Sequence, residues 1–90
     1  MVYVNMIFQV QDFNKWKTAF DSNTEARKKG GLIGGTRVLQ DVFDPKKIVI
    51  FAEWENKEKA KEFFSSDALK QRMKDAGVIG VPTVHILNEK

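Results

Sequence analysis

Apolar and polar residues alternate along the first ten positions of the chain. One side of the extended backbone is wholly apolar and consists of Val2, Val4, Met6, Phe8 and Val10. The opposite side is mixed and consists of Tyr3, Asn5, Ile7 and Gln9. A period of two predicts a β-strand. The mixed side is too apolar to face water alone and too polar for a dry core.

After Asp12, which can cap a helix, apolar residues recur at the spacing of an α-helix. The apolar stripe of this first helix consists of Phe13, Trp16, Ala19 and Phe20, and Gly30 is predicted to end the helix. A second helical stretch begins after Asn56 and ends at Gly77. Because Ser65-Ser66-Asp67 interrupts it, we predict a bent helix or two short helices. The glycines between residues 30 and 35 follow a helix and precede a strand, so they indicate a flexible connection rather than a phosphate-binding loop.

A hairpin from Thr36 to Trp54 occupies the middle of the chain, with Asp44-Pro45 opening its turn. Its register stays open, because a loop of two or four residues would place Arg37 and Leu39 on the same side as Ile48 and Ile50. A loop of three residues would place Val38 and Gln40 there instead, and a one-residue slip reverses every side chain. The last strand is predicted over residues 83–87, with Pro82 at its start.

The order of elements, β-α-β-β-α-β, predicts the α+β class. It is typical of a ferredoxin-like plait, with a four-stranded antiparallel sheet and both helical stretches on one face. We expect residues 1–90 to form one domain. The uncovered sheet face would carry Tyr3, Asn5, Ile7, Gln9, Val49, Phe51, Glu53, Thr83, His85 and Leu87. A patch of this kind predicts that two copies pack their sheets face to face in a twofold dimer.

Composition narrows the chemistry. The 90 residues include no cysteine, which excludes disulfides and thiolate metal sites, and the single histidine with scattered acids lacks metal-ligand spacing, so no metal site is predicted. The net charge is +3, but lysines and acids are interleaved, which favours solvated surfaces over a nucleic-acid footprint. We find neither a signal peptide nor a membrane span and expect a cytoplasmic protein.

The chain resembles the dimeric α+β barrel superfamily, which includes antibiotic-biosynthesis-monooxygenase-like and stress-responsive barrel domains. The segments that carry the resemblance are DFNKWKTAF, the R-x-x-G of residues 27–30, VLQDVFDPKKIVIFAEW and KAKEFFSSDALKQRMKDAGV. The resemblance implies a homodimer whose sheets form a joint barrel, with a small hydrophobic ligand between sheet and helices. The superfamily includes cofactor-free monooxygenases, haem-degrading enzymes and isomerases.

Two residues are candidates for catalysis. His85 is the only side chain that ordinarily titrates near neutral pH, so it could be a general base or a haem ligand, or a strand histidine hydrogen-bonded at the dimer interface. Glu53 lies in the apolar run IVIFAEW, where a carboxylate must be paired or desolvated. It could act as a base or form a salt bridge with Arg37 or Lys47.

The candidate ligand-binding residues are Trp16, Phe20, Asn5, Phe51, Trp54 and Arg37. Aromatic side chains of this kind line a pocket or simply form the core. Asn5 and Trp54 are residue types found in the Asn-Trp-Tyr type constellation of cofactor-free monooxygenases. Arg27 could bind an anion or cap its helix. Since the chain has no flavin or nicotinamide signature, we predict no cofactor, and any oxygenase chemistry would use the substrate's own carbanion.

The leading hypothesis is therefore a small homodimeric barrel protein that binds a small hydrophobic or aromatic molecule, with cofactor-independent monooxygenase-like or isomerase-like activity. The alternative is a non-enzymatic structural or stress-related homodimer with a packed barrel. A minor alternative is an RNA-binding plait, because Tyr3 and Phe51 lie in the two strands that RNA-recognition motifs use. The segment KKIVIFAEW has no glycine and fewer aromatic residues than that motif requires. We therefore predict neither nucleic-acid nor membrane partners.

Overall fold

A computed structural model describes residues 1–90. The strands are β1 (Val2–Val10), β2 (Leu32–Gln40), β3 (Lys47–Trp54) and β4 (Val78–Leu87). The helices are α1 (Phe13–Ser22), α2 (Thr24–Gly30), α3 (Lys57–Ser65) and α4 (Asp67–Asp75). All strand pairs are antiparallel, in the order β2-β3-β1-β4. The prediction of an α+β plait is confirmed.

Side chains cap three of the helices, as their sequences indicate. Asp12 accepts a hydrogen bond from the Lys15 N–H, and Asn56 caps α3 in the same way. Ser66 caps α4, so the second helical stretch is two short helices. The first stretch is also divided, which the sequence did not predict. The break falls at Asn23, whose backbone and side-chain N–H groups donate to carbonyl oxygens in the last turn of α1.

Strands β2 and β4 begin earlier than the sequence predicted. β2 starts at Leu32 rather than Thr36, and β4 starts at Val78 rather than Thr83. Each contains a register shift, and each shift includes a glycine in the left-handed region, Gly34 at φ 69° and Gly80 at φ 72°. Such bulges interrupt the alternation of side chains, so the period of two is lost where the strand continues. Pro82 therefore lies inside β4, an edge strand where a missing N–H is tolerated.

The register of the central hairpin is settled by its Cα partners. Val38 pairs with Ile50 and Gln40 with Ile48, so Arg37 and Leu39 point to the opposite face. This is the side-chain arrangement expected of an odd-numbered loop. Asp41 organises the turn, because its side chain accepts hydrogen bonds from the N–H groups of the two residues that precede Pro45. These bonds favour the carboxylate and lower the pKa of Asp41.

The core lies between the sheet and the helices. One cluster of buried residues contains Met6, Phe8, Val10, Trp16, Ile48, Ile50 and Ala76. A second contains Val2, Val4, Ala52, Trp54 and Ala60. The apolar side of β1 therefore packs beneath the helices, as predicted. No helix is both long enough and apolar enough to cross a membrane.

Candidate functional site

The core encloses a cavity of about 70 Å³ that is partly open to solvent, here called the chamber. It is lined by Met6, Phe8, Trp16, Ala19, Phe20, Asn23, Arg27, Thr36, Ile50, Ala52, Trp54, Phe63, Phe64, Leu69, Arg72, Met73 and Ala76. Its volume exceeds what one water needs but is below the roughly 150 Å³ of a cavity that accepts benzene. A small molecule therefore enters only if a lining side chain moves, and Met73, with its unbranched flexible chain, is suited to that movement.

Aromatic rings form much of the chamber wall. The rings of Trp16 and Phe20 stack with their centroids 4.9 Å apart and their planes 29° apart. On the other side, Trp54 contacts Phe63 and Phe64, with centroid distances of 5.1 and 4.9 Å. Ring faces and edges of this kind suit a planar apolar guest.

Arg27 brings a charge to this apolar wall. Its guanidinium carbon lies 3.7 Å from the centroid of the Phe20 ring, and its Nη1 donates to the Phe20 carbonyl oxygen at 2.8 Å. Nη2 donates to Thr24 Oγ1 at 3.3 Å, whereas Nε is buried and has no hydrogen-bond partner in the protein. Burial lowers the pKa of Arg27, and the charge of Asp21 partly offsets this. A guanidinium nevertheless stays protonated in proteins.

Three further polar residues line the chamber, namely Asn23, Thr36 and Arg72. Thr36 Oγ1, on the sheet side, is buried without a hydrogen-bond partner. Arg72, on α4, also lines the chamber and is half-buried. The ion pairs of the chain are Lys17–Asp21, Lys28–Glu25 and Lys59–Glu55, so neither chamber arginine is paired. Sequence reasoning did not single out Thr36, because a threonine beside a glycine bulge carries no distinctive pattern.

Trp54 and two glycines fix the end of α2 that carries Arg27. The indole Nε1 of Trp54 donates to the carbonyl oxygen of Gly30 at 2.8 Å. Gly31 has φ 121°, and its carbonyl oxygen accepts from the Glu55 N–H at 2.9 Å. A Cβ on Gly31 would lie 2.8 Å from the indole ring. The R-x-x-G-G segment therefore positions Arg27 by letting the chain pass directly over Trp54.

The opposite side of the sheet, here called the open face, has no helix over it. Strand register places four residues in one row across all four strands, in the order His85, Asn5, Phe51 and Arg37. The adjacent row is Leu87, Tyr3, Glu53 and Ile33. The rings of Tyr3 and Phe51 stack at 5.6 Å, and Asn5 Oδ1 is buried without a hydrogen-bond partner.

The sequence-predicted site residues therefore fall into two sets. Trp16, Phe20 and Trp54 line the chamber. The other five, Asn5, Phe51, Arg37, Glu53 and His85, lie on the open face. Because the sheet separates the two sets, one chain cannot bring them to the same bound molecule.

Glu53 is half-buried and forms no ion pair with Arg37 or Lys47, and His85 is exposed. The catalytic roles of both residues stay predictions. No group of three or more His, Asp or Glu side chains is placed to hold a metal ion.

Comparison with solved structures identifies the fold. An antibiotic biosynthesis monooxygenase superposes with a TM-score of 0.72 at 14% identity, covering 100% of this chain and 99% of that one. The cofactor-independent oxygenase SnoaB from Streptomyces nogalater gives 0.72 at 10% identity, covering 99% and 91% of the two chains. The chain has the fold of the antibiotic biosynthesis monooxygenases. A conserved protein from Methanosarcina mazei Go1 gives 0.74 at 19% identity, covering 99% and 92%.

The similarity lies in the fold. No protein-family model matches the sequence, and no curated protein matches it. Identities of 10 to 19% show a shared fold and leave the activity to be argued from the chamber itself.

Proposed function

We propose that this protein is a homodimer that binds a small aromatic molecule in the chamber between sheet and helices. The observation that carries the proposal is an aromatic-lined cavity whose lining residues include Arg27 and Thr36, each with one buried side-chain atom, Nε and Oγ1, that has no hydrogen-bond partner. An apolar pocket with a few well-placed polar groups is the common form of a small-molecule site. Polar atoms buried without partners in a packed core are rare, so a ligand that supplies their partners accounts for them.

The chamber hypothesis is tested by filling the cavity. Ala19 lines the chamber, whereas Ala26 is half-buried on α2 and does not. Ala19→Leu should abolish binding of single-ring compounds (toluene, benzamide and benzoate), because its added carbons occupy the space for the ring. Ala26→Leu should leave binding intact. Binding is followed by ¹H–¹⁵N NMR at the indole N–H of Trp16 and Trp54, the only two tryptophans.

Thermal melts on both variants show whether each is folded, since overpacking costs about 1–3 kcal/mol. Equal binding by Ala19→Leu and the parent protein would place the ligand elsewhere. If the parent protein binds none of the three compounds, the proposed ligand-binding function is wrong.

The open face supports the dimer. Tyr3, Ile7, Val49 and Phe51 remain half-buried on a face with no helix over it, and the Asn5 side-chain oxygen has no partner within its own chain. A second copy, packed sheet to sheet, would cover these side chains and could donate a hydrogen bond to Asn5. For a small domain with only fourteen buried residues, the added burial also matters for stability.

Phe51→Lys should therefore give a monomer, because the change places a charge at the centre of the open face. The matched control is Phe43→Lys, the same chemical change at a hairpin tip where the residue is 95% exposed. Sedimentation should show a dimer for the parent and for the control. The parent's melting temperature should rise with protein concentration, whereas that of Phe51→Lys should not. A monomeric parent protein would contradict the barrel.

The reaction class we propose is cofactor-independent oxygenation, because SnoaB, which has the same fold, is a cofactor-independent oxygenase. In such chemistry the substrate itself supplies the carbanion. Because the chamber is lined by no histidine or carboxylate that could accept a proton, the substrate would have to enter already ionised. A cation beside the bound ring, as Arg27 would be here, stabilises the negative charge that develops there. Oxygen consumption on addition of the chamber ligand measures this activity directly.

The alternative function is a non-enzymatic homodimer with a packed interior. The observation that favours it is the small volume of the chamber, about 70 Å³. On this alternative Phe51→Lys still dissociates the dimer, but no single-ring compound shifts the indole resonances. The two experiments together distinguish the two functions.

A further inference from the structure

Charge is distributed asymmetrically around the chamber. Arg27 from α2 and Arg72 from α4 line it, and none of the lining residues is acidic. Asp21 acts on Arg27 through its charge but forms its ion pair with Lys17. A cavity with two unpaired cations and no carboxylate attracts an anion.

Arg27 still has a donor to offer. Two of its nitrogens are used by the Phe20 carbonyl and by Thr24, and these bonds hold the guanidinium against the Phe20 ring. Nε is left buried without an acceptor. The side chain is therefore fixed in place before any ligand arrives, and an acceptor that reaches Nε meets a preorganised donor.

Thr36 offers a second donor from the sheet side of the chamber. Its hydroxyl is buried and unpaired, and a hydroxyl can both donate and accept. Gly34 of the β2 bulge precedes it by two residues, and the register shift lies between the pairs made by Ile33 and Arg37. The bulge thus sets which face of the sheet receives the Thr36 side chain, which is the face that carries the chamber.

We propose that the chamber binds a single-ring aromatic carboxylate, with its carboxylate held by Arg27 Nε and Thr36 Oγ1 and its ring among Trp16, Phe20 and Trp54. The inference rests on the proposed function, because it names the class of molecule that the chamber takes. Because even one ring requires a lining side chain to move, the small volume excludes molecules of several rings. A carboxylate suits the donors because guanidinium groups form strong charge-assisted hydrogen bonds with it.

Three probes of nearly the same size test the assignment. Benzoate carries the carboxylate, benzamide is its uncharged counterpart, and toluene lacks a polar head. Titrations are followed at the indole N–H resonances of Trp16 and Trp54. Benzoate should bind at least about tenfold more tightly than benzamide, because a charged acceptor forms the stronger hydrogen bond. Equal affinities for benzoate and benzamide would overturn the carboxylate assignment.

Two variants locate the donors. Thr36→Val keeps the shape and removes the hydroxyl, so benzoate affinity should fall about fivefold while toluene binding is unchanged. Arg27→Gln should lower benzoate affinity about tenfold or more. The control is Lys29→Gln, an equal loss of charge at an exposed position on the same helix, which should leave benzoate affinity unchanged.

The outcomes separate the two proposals. If toluene and benzamide bind but neither variant changes the affinity for benzoate, the chamber is a ligand site and the carboxylate assignment is wrong. If none of the three probes moves either indole resonance at millimolar concentration, both the assignment and the proposed function fail. Because Thr36→Val is nearly isosteric, the assignment stays testable even if Arg27→Gln does not fold.

Discussion

Replacing Trp54 with alanine should lower the free energy of unfolding by about 3–5 kcal/mol, the usual cost of deleting a buried aromatic side chain. Trp54 is 0% exposed and packs against Phe63 and Phe64. Its indole N–H also donates to the Gly30 carbonyl oxygen, which would lose its partner. Since a domain of this size is stable by only about 5–15 kcal/mol, the variant should be largely unfolded or strongly destabilised.

Trp54→Phe is the matched control. It keeps a ring in the core but removes the indole N–H, so we expect a smaller loss, of about 1–3 kcal/mol, from the unpaired carbonyl and the lost volume. Chemical denaturation with both variants measures the difference. A loss below 1 kcal/mol for Trp54→Ala would mean that the ring does not fix the end of α2.

Gly31→Ala should be strongly destabilising, because it combines backbone strain with a close steric contact. At φ 121° a side chain is strained whatever space surrounds it, and the new Cβ would lie 2.8 Å from the indole of Trp54. Backbone strain and overpacking each cost about 1–3 kcal/mol, so we expect the free energy of unfolding to fall by about 2–6 kcal/mol in total.

The β2 bulge supplies controls for Gly31→Ala. A Cβ on Gly34 or Gly35 would meet no atom within 4 Å, and only Gly34 has positive φ, at 69°. Gly34→Ala should therefore cost about 1–2 kcal/mol from the left-handed backbone alone, and Gly35→Ala should be close to neutral. Equal effects at Gly31 and Gly34 would show that contact with Trp54 contributes nothing.

The central strands were predictable from the sequence because alternation is uninterrupted in them. Along β1, alternate residues from Val2 to Val10 are all buried, and Asn5 lies on the other side of the sheet. The helix caps at Asp12 and Asn56 were likewise readable, since Asp and Asn in front of a helical pattern satisfy free N–H groups. Together these signals were enough for the α+β plait.

The edge strands were harder to predict from the sequence, because a glycine bulge interrupts the alternation of side chains in each of them. Gly34 and Gly80 each allow a strand to continue past the point where side chains change face. The parity of the hairpin loop posed the same difficulty at Arg37. The sequence did not determine on which face of the sheet the Arg37 side chain lies, and the pairing of Arg37 with Phe51 places it on the open face.

The polar end of the chamber depends on tertiary packing and so lay beyond sequence reasoning. Arg27 was noted for its charge, with helix capping as the favoured role, but its missing acceptor appears only when Phe20 and Thr24 are seen to occupy the other donors. Thr36 is marked by burial alone. The candidate residues of the open face, including His85 and Glu53, were chosen by residue type, and residue type does not distinguish a chamber from a dimer interface.

Native mass spectrometry of the protein as purified from cells tests the central claim most directly. We predict a dimer that carries additional mass, and this mass should be lost on denaturation and replaced by benzoate when benzoate is added in excess. A dimer with no additional mass that also takes up no benzoate would leave only the packed structural homodimer. A monomer would contradict the account, because it would leave the open face, with Asn5 and Phe51, without the second sheet that the barrel requires.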